Sequence, residues 1–438
     1  MKLLKQGDNG WDEARQGFNL AIDPQPALIS VPETEEDVAE TVRLTKEQGL
    51  RVAAQGTAHN AGPLGSLSDS ILLRTKALKG VEIGAAARTA RVRAGAIWAD
   101  LVPRASDQGL AALHGSAPGV AIAGYTINGG VSWYSRKHGL ACNRATGFEI
   151  VTADGELRRV NKHSDPDLFW ALRGGGGSFG VVTSVEFELL EIPEVYAGAM
   201  FFPFEWAEEV LRAWRDWTAG VPEEMTSVGR LMQFPPIPDV PEPVRGKAFA
   251  ILEVIYIGDE AGGKELVAPL TDLGPVMNSL ASVPPAGIAD LHMDPPGPVS
   301  GITGHLLLED LGDEALGELL RVAGPGSGSK LTSVEVRHGG GALSRAPEDA
   351  GALATLPGNF NLFAVGSTMD PAAVAPTRDR LGQLSAALKP FEAGRYMSFC
   401  EEPTDFEAAF PPETCDRLRA IRAKHDPEGL FHANQELG

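Results

Sequence analysis

The chain has 438 residues, with 38 Lys and Arg against 58 Asp and Glu, a formal charge of −20. An acidic balance of that size argues against nucleic acid or an anionic membrane surface as partner, because both require a basic face. Cys142, Cys400 and Cys415 form no C-x-x-C pair, which speaks against a disulfide framework and a zinc cluster. No apolar run reaches the length of a membrane span and the first ten residues lack a signal-peptide core, so a reducing cytoplasm is the expected home. The hydrophobic share of 43% is that of a globular protein, and the length suggests more than one domain.

Residues 26–56 read as strand, helix, strand. Thr34 is placed to cap the helix, acids 35–37 fill its first turn, and Gly49 suits the position after its end. Short strands are expected at 71–74, 81–83 and 90–94, and a helix at 97–108. Residues 115–130, rich in small side chains, read as loop. Residues 148–160 read as a hairpin around Asp154-Gly155. A helix over 165–174 has Asp165 as cap, Pro166 at its first position and Gly174 past its end, with Phe169, Trp170 and Leu172 as buried face. A strand follows at 181–190. From about 195 to 395 prolines gather and strands and helices alternate less regularly, which fits a second α+β domain on an antiparallel sheet. A basic helix over 415–424 precedes the tail.

The run Gly174-Gly-Gly-Gly-Ser-Phe-Gly180 matches both G-x-G-x-x-G and G-x-S-x-G. Either motif needs a strand before it and a helix after it, and here the order is reversed. The run therefore reads as a helix stop whose bare backbone allows close packing. The histidines are scattered with no ligand spacing, so no metal site is expected.

Gln55-Gly-Thr-Ala-His-Asn-Ala-Gly62 follows a buried strand. A loop of small residues there leaves backbone N–H groups open, a nest that holds phosphate oxygens without basic side chains. Residues 117–130 offer a second nest. Two nests and a fixed His59 suggest a bound diphosphate cofactor, although a lone loop histidine more often faces solvent.

At this point the sequence resembles the vanillyl-alcohol oxidase superfamily, the p-cresol methylhydroxylase (PCMH-type) fold, in its berberine bridge enzyme-like branch. The resemblance rests on Pro32–Val38, Gln55–Gly62, Gly124–Gly130 running on to Asn143, Val151–Gly155, Asp167–Val182 and Arg417–Gln435. It implies an α+β protein with a two-part FAD-binding domain (1–193), a substrate-binding domain on an antiparallel sheet (194–395), and a C-terminal segment (396–438) returning to the FAD domain. It implies FAD, joined covalently to His59. It further implies cofactor contacts from Ala54, Gln55, Gly56, Thr57, Ala58 and Asn60. From the second loop and beyond come Gly115, Ala117, Gly119, Val120, Gly124, Asn128, Gly129 and Val131, and then Gly180, Val182 and Asn434.

Two departures limit the transfer. Many members carry a second flavin link through Cys in a Gly-x-Cys-Pro segment. Here the segment is Gly115-Ser-Ala-Pro118, so one covalent bond is expected and Cys142 reads as a small buried residue. Many relatives also have a Tyr just before the last helix, where this chain has 411–415. Tyr396 is then the nearest phenol.

The reaction expected is removal of hydride from a C–H next to an alcohol or amine of a small-molecule substrate, while a base takes the O–H or N–H proton. Candidate residues are Tyr396 and, on the strand at 331–338, Glu335, Arg337 and His338. Alternation puts Glu335 and Arg337 on one face and Val334, Val336 and His338 on the other; the sequence leaves open which face meets the flavin, or whether Glu335 and Arg337 are simply solvated. The reading leans to an oxidase passing electrons to O2. A dehydrogenase with another acceptor and a flavin-retaining binding protein without turnover are the alternatives. Substrate and oligomeric state are not legible.

Overall fold

The computed structural model describes residues 1–437. The first sheet has four strands, Lys2–Leu4, Leu28–Val31, Ser70–Arg74 and Arg51–Gln55, the last three parallel. Helix Glu35–Glu47 crosses between two of them. Its cap is reciprocal: Thr34 Oγ1 accepts from the Asp37 N–H at 3.2 Å, and Asp37 accepts from the Thr34 N–H at 3.4 Å. Its apolar face buries Val38, Ala39 and Val42.

A second, antiparallel sheet follows in the order Val81–Gly84, Thr89–Arg93, Val181–Glu188, Ala145–Val151, Leu157–Val160. Helix Trp98–Ser106 packs on it and keeps Pro103 in its interior. Helix Pro166–Leu172 begins on Asp165, whose side chain accepts from the Leu168 N–H at 3.2 Å. The glycine run lies between this helix and strand Val181–Glu188, as the reversed order requires. A Cβ on Gly174 would stand 2.3 Å from Leu353 Cβ, and one on Gly180 2.5 Å from the Val151 carbonyl oxygen, so the run serves close packing. Trp170 differs from expectation: it is half-buried, roofed by the Arg417 guanidinium 4.0 Å above its ring.

Residues 115–130 are not all loop, since Ile122–Ile127 forms a short helix. Glycines at 119, 124, 129 and 130 look like loop signals, but Ile122 and Thr126 pack inward at helical spacing, and burial outweighs the low propensity of glycine.

The third sheet has nine strands, every neighbour antiparallel, with Val195–Pro203, Ala248–Tyr256, Met225–Gln233, Ser333–His338, Phe360–Ser367 and Gly301–Leu308 at its centre. Helices Ala207–Thr218, Asp313–Ala323 and Val374–Leu388 cover one face, over a core that includes Leu252, Val254, Val334 and Val336. On the opposite face Val228 and Ile255 pack with Leu113, Trp133 and Tyr134. The tail returns to the first sheet: the Val52 N–H donates to Leu430 O and the His432 N–H to Val52 O, both at 2.8 Å.

Candidate functional site

The loop after strand Arg51–Gln55 keeps its amides free. Among the described residues, no backbone N–H from Gly56 to Ala61 donates to a protein acceptor, and neither do those of Gly115, Ser116, Ala117 and Gly119. Buried amides are almost always paired, so two such rows side by side form an anion cradle. The rows meet at Gly56, where a Cβ would lie 2.6 Å from Ala121 Cβ. Thr57 ties them together: its Oγ1 accepts the Ala121 N–H at 3.1 Å and lies 2.8 Å from His59 Nδ1. Beside them opens a cleft of about 430 Å³ lined by Gly56, Thr57, Lys76, Lys79, Gly95 and Ala121.

His59 does not face bulk water. Its ring stacks on Phe18 with centroids 3.9 Å apart, and its Nε2 is buried without a partner. Burial drives its pKa down to about 4, against a smaller opposing pull from Asp294, so the imidazole is neutral at pH 7. Ala58 just before it holds a left-handed φ of 57°. Gln55 Nε2 and Asn60 Oδ1 are likewise buried and unpartnered. Arg74, which sequence reasoning missed, donates to Gln55 Oε1 at 2.8 Å and is buried with no carboxylate within 4 Å among the described residues. Open amides, orphaned polar atoms and a buried cation suit a dinucleotide with a diphosphate. Asn128 donates to Gly124 O at 2.8 Å, Gly129 and Gly130 hold φ of 109° and 80°, and Val182 is buried in its strand.

Cys142 is fully buried, and burial pushes its thiol up to about 12. It packs as a small apolar residue 3.7 Å from Leu353 O.

Glu335 and Arg337 lie on the sheet face opposite the covering helices and are not solvated. Glu335 is 2% exposed, 2.5 Å from His292 Nε2 and 2.8 Å from Arg337 Nε. His292 Nδ1 reaches Glu253 at 2.5 Å, and Arg230 lies 3.4 Å from Glu253 and 3.9 Å from Glu335. Burial and Arg230 oppose the charged ring, but Glu253, Glu335 and Asp294 lift His292 to about 9. Burial likewise opposes ionisation of Glu335, but Arg337, His292 and Arg230 hold its carboxyl well below the usual range. Arg337 Nη2 also reaches Ser116 Oγ at 3.4 Å, and Ser116 donates to Asp294 at 2.9 Å. Tyr396 stands near this wall. Its hydroxyl accepts the Gly130 N–H at 2.8 Å, and burial pushes it up to about 12. His338 points to the helix-covered side, stacked on Phe360 and 2.7 Å from Arg136 Nη1.

Glu253, His292, Arg230 and Asp294 were not singled out from sequence. A signal existed for two of them: Arg230 and Glu253 are the charged residues of the strands Met225–Gln233 and Ala248–Tyr256, and a buried charge in a strand implies a partner.

A family model described as an FAD binding domain matches residues 26–161. The fold superposes on the crystal structure of 6-hydroxy-D-nicotine oxidase from Arthrobacter nicotinovorans with a TM-score of 0.85, over 99% of this chain and 97% of that one, at 24% identity. Residues 26–161 thus form an FAD-binding domain, and the whole chain shares the fold of this oxidase. The flavoprotein also superposes on berberine bridge enzyme of Eschscholzia californica with a TM-score of 0.84, over 100% and 96% of the two chains, at 18% identity. In sequence, it is 36% identical to (R)-6-hydroxynicotine oxidase of Paenarthrobacter nicotinovorans over 192 residues, 44% of this chain and 42% of that protein. It is 32% identical to glucooligosaccharide oxidase of Sarocladium strictum over 198 residues, 44% of this chain and 40% of that protein. The flavoprotein thus matches about two fifths of the length of these two curated relatives. No described helix is long and apolar enough to cross a membrane.

Proposed function

We propose that this flavoprotein is an FAD-dependent oxidoreductase, and specifically an oxidase that takes hydride from a C–H beside an alcohol or amine and passes the electrons to O2. The observation that carries the reading is the pair of open amide rows converging on a neutral, buried His59. Bound FAD would supply the two-electron acceptor.

The chain's own residues then divide the remaining work. The amides of 56–61 and of Gly115, Ser116, Ala117 and Gly119, with Arg74 behind them, hold the diphosphate. His59, uncharged and with one nitrogen unpartnered, is the single covalent anchor; Ala117 occupies the place a second, cysteinyl anchor would take. The segments 1–193 and 396–438 carry the cofactor, and 194–395 presents the substrate wall. Proton handling falls to Glu335 and Tyr396, whose environments push them apart: one stays ionised, the other protonated. Arg337 and His338 position them, Arg337 by pairing with Glu335 and His338 by fixing Arg136 at the domain seam.

The test is spectroscopic. The purified protein is mixed without oxygen with a panel of sugars, primary alcohols and amines. Bleaching of the flavin band by one of them, and its return within seconds in air with peroxide formed, supports the oxidase. Slow return favours another acceptor, and a band that no compound bleaches favours a binding protein without turnover.

A further inference from the structure

Arg136 lies at the seam between the FAD-binding part and the third sheet. It is 6% exposed, and its Nε donates to Met225 O at 2.7 Å. Nη1 donates to Gly339 O and, at 2.7 Å, to His338 Nε2. All three acceptors are neutral: burial and the facing Arg136 lower His338 to about 3. No carboxylate lies within 4 Å of the guanidinium among the described residues, and Nη2 donates to none of them. The nearby Glu223 is bound at both oxygens by Arg345, at 2.6 and 2.7 Å. A buried cation without a counter-charge is costly, and such cations are normally paired.

The surrounding charge does not cancel it. The charged cluster beyond it has no anion to spare, because Arg230, Arg337 and protonated His292 already face Glu253, Glu335 and Asp294. Between Arg136 and Arg337 sits a small cavity of about 20 Å³, also lined by Ser116, Ser135, Thr226 and His338, with no acidic residue on its wall. That volume takes one oxygen atom or one water, since a water needs roughly 10–15 Å³ by this measure. Nη1 of Arg337 donates to no described residue, because Nε and Nη2 make its contacts with Glu335 and Ser116. The cavity borders the second amide row at Ser116 and so belongs to the proposed active site.

We propose that this cavity seats one carboxylate oxygen of an anionic substrate, with Arg136 as its counter-charge. The inference rests on the oxidoreductase reading and narrows it: the oxidised carbon belongs to a molecule that also carries a carboxylate, such as a hydroxy or amino acid. Guanidinium groups bind carboxylates by paired, charge-assisted hydrogen bonds, and two of them bracket this space.

The test needs no known substrate. Benzoate and acetate are titrated into the protein as purified, with flavin content recorded first. The flavin absorbance and the melting temperature are followed, with benzamide as neutral isostere and sodium chloride at matched ionic strength. The expected result is a saturable response to the carboxylates, at least tenfold weaker with benzamide and absent with chloride. Arg136→Met should weaken benzoate about tenfold or more, and Thr226→Val, which removes only a cavity hydroxyl, about threefold. No saturable response, an equal response to benzamide, or wild-type affinity in Arg136→Met would overturn the proposal. If Arg136→Met does not fold, Thr226→Val decides, and unchanged affinity there overturns it. A colourless protein would defeat the flavin reading, while the melting-temperature arm still tests the anion site.

Discussion

Replacing His292 by Gln removes the ring that sits between Glu253 and Glu335, 2.5 Å from each. Both carboxylates then remain buried, at 0% and 2% exposure, with Arg230 and Arg337 as the cations within 4 Å of them among the described residues. Breaking one side of a buried pair typically costs about 3–5 kcal/mol. The titration of the ring gives the same scale. Its pKa rises from 6.5 to about 9, a difference worth on the order of 3 kcal/mol at low to neutral pH. Because the folded-state value is the higher one, that stability is fully present below about pH 6.5 and is lost as pH rises through 9. Urea unfolding at pH 6, 7.5, 9 and 10 reads both effects. Wild type should weaken across the alkaline half of this range. His292→Gln should be less stable by about 3 kcal/mol at pH 6 and should lack that alkaline loss. A variant within about 1 kcal/mol of wild type at pH 6, or one with the same alkaline loss, would refute the view that His292 is a charged bridge.

Gly56→Val puts a side chain where Ala121 Cβ already stands 2.6 Å away; it should part the two amide rows and leave the purified protein with little flavin, read from absorbance at 280 nm against the visible band. Cys142→Ser should keep its flavin, because that thiol only packs against Leu353. Glu335→Gln and Tyr396→Phe should each slow flavin reduction by about a hundredfold in anaerobic stopped flow, and unchanged rates in both would remove the proton-handling assignment. Thr34→Ala should cost about 1 kcal/mol in thermal unfolding by deleting one half of a reciprocal cap.

What the sequence could and could not disclose follows from the range of the interactions. Thr34, Asp165, Pro166 and the Asp154-Gly155 turn announce their elements because caps and turns are local chemistry. The open loop at 55–62 is local too, since small residues after a buried strand leave amides free wherever the chain goes next. The helix at Ile122–Ile127 was hidden because its glycines speak against it and only packing below it speaks for it. Alternation could say that Glu335 and Arg337 share a face but not that this face meets the FAD-binding part. That depends on strand Ser333–His338 lying beside Met225–Gln233, about a hundred residues earlier in the chain, with its other face covered by helices. His292 and Asp294 come from a proline-rich stretch with no periodicity at all, so only the fold brings them to Glu335 and Ser116. Arg136 stands beside Lys137 in the sequence with nothing local to set it apart, and its lack of a counter-charge is a property of the assembled seam.

The central claim is that His59 is the single covalent anchor of a flavin. Acid precipitation followed by peptide mapping tests it most directly. The account predicts that yellow colour stays in the pellet, that the flavin mass is found on the peptide containing His59 and on no cysteine peptide, and that His59→Ala releases all colour to the supernatant. Colour released from wild type, or a flavin mass on Cys142, would contradict it.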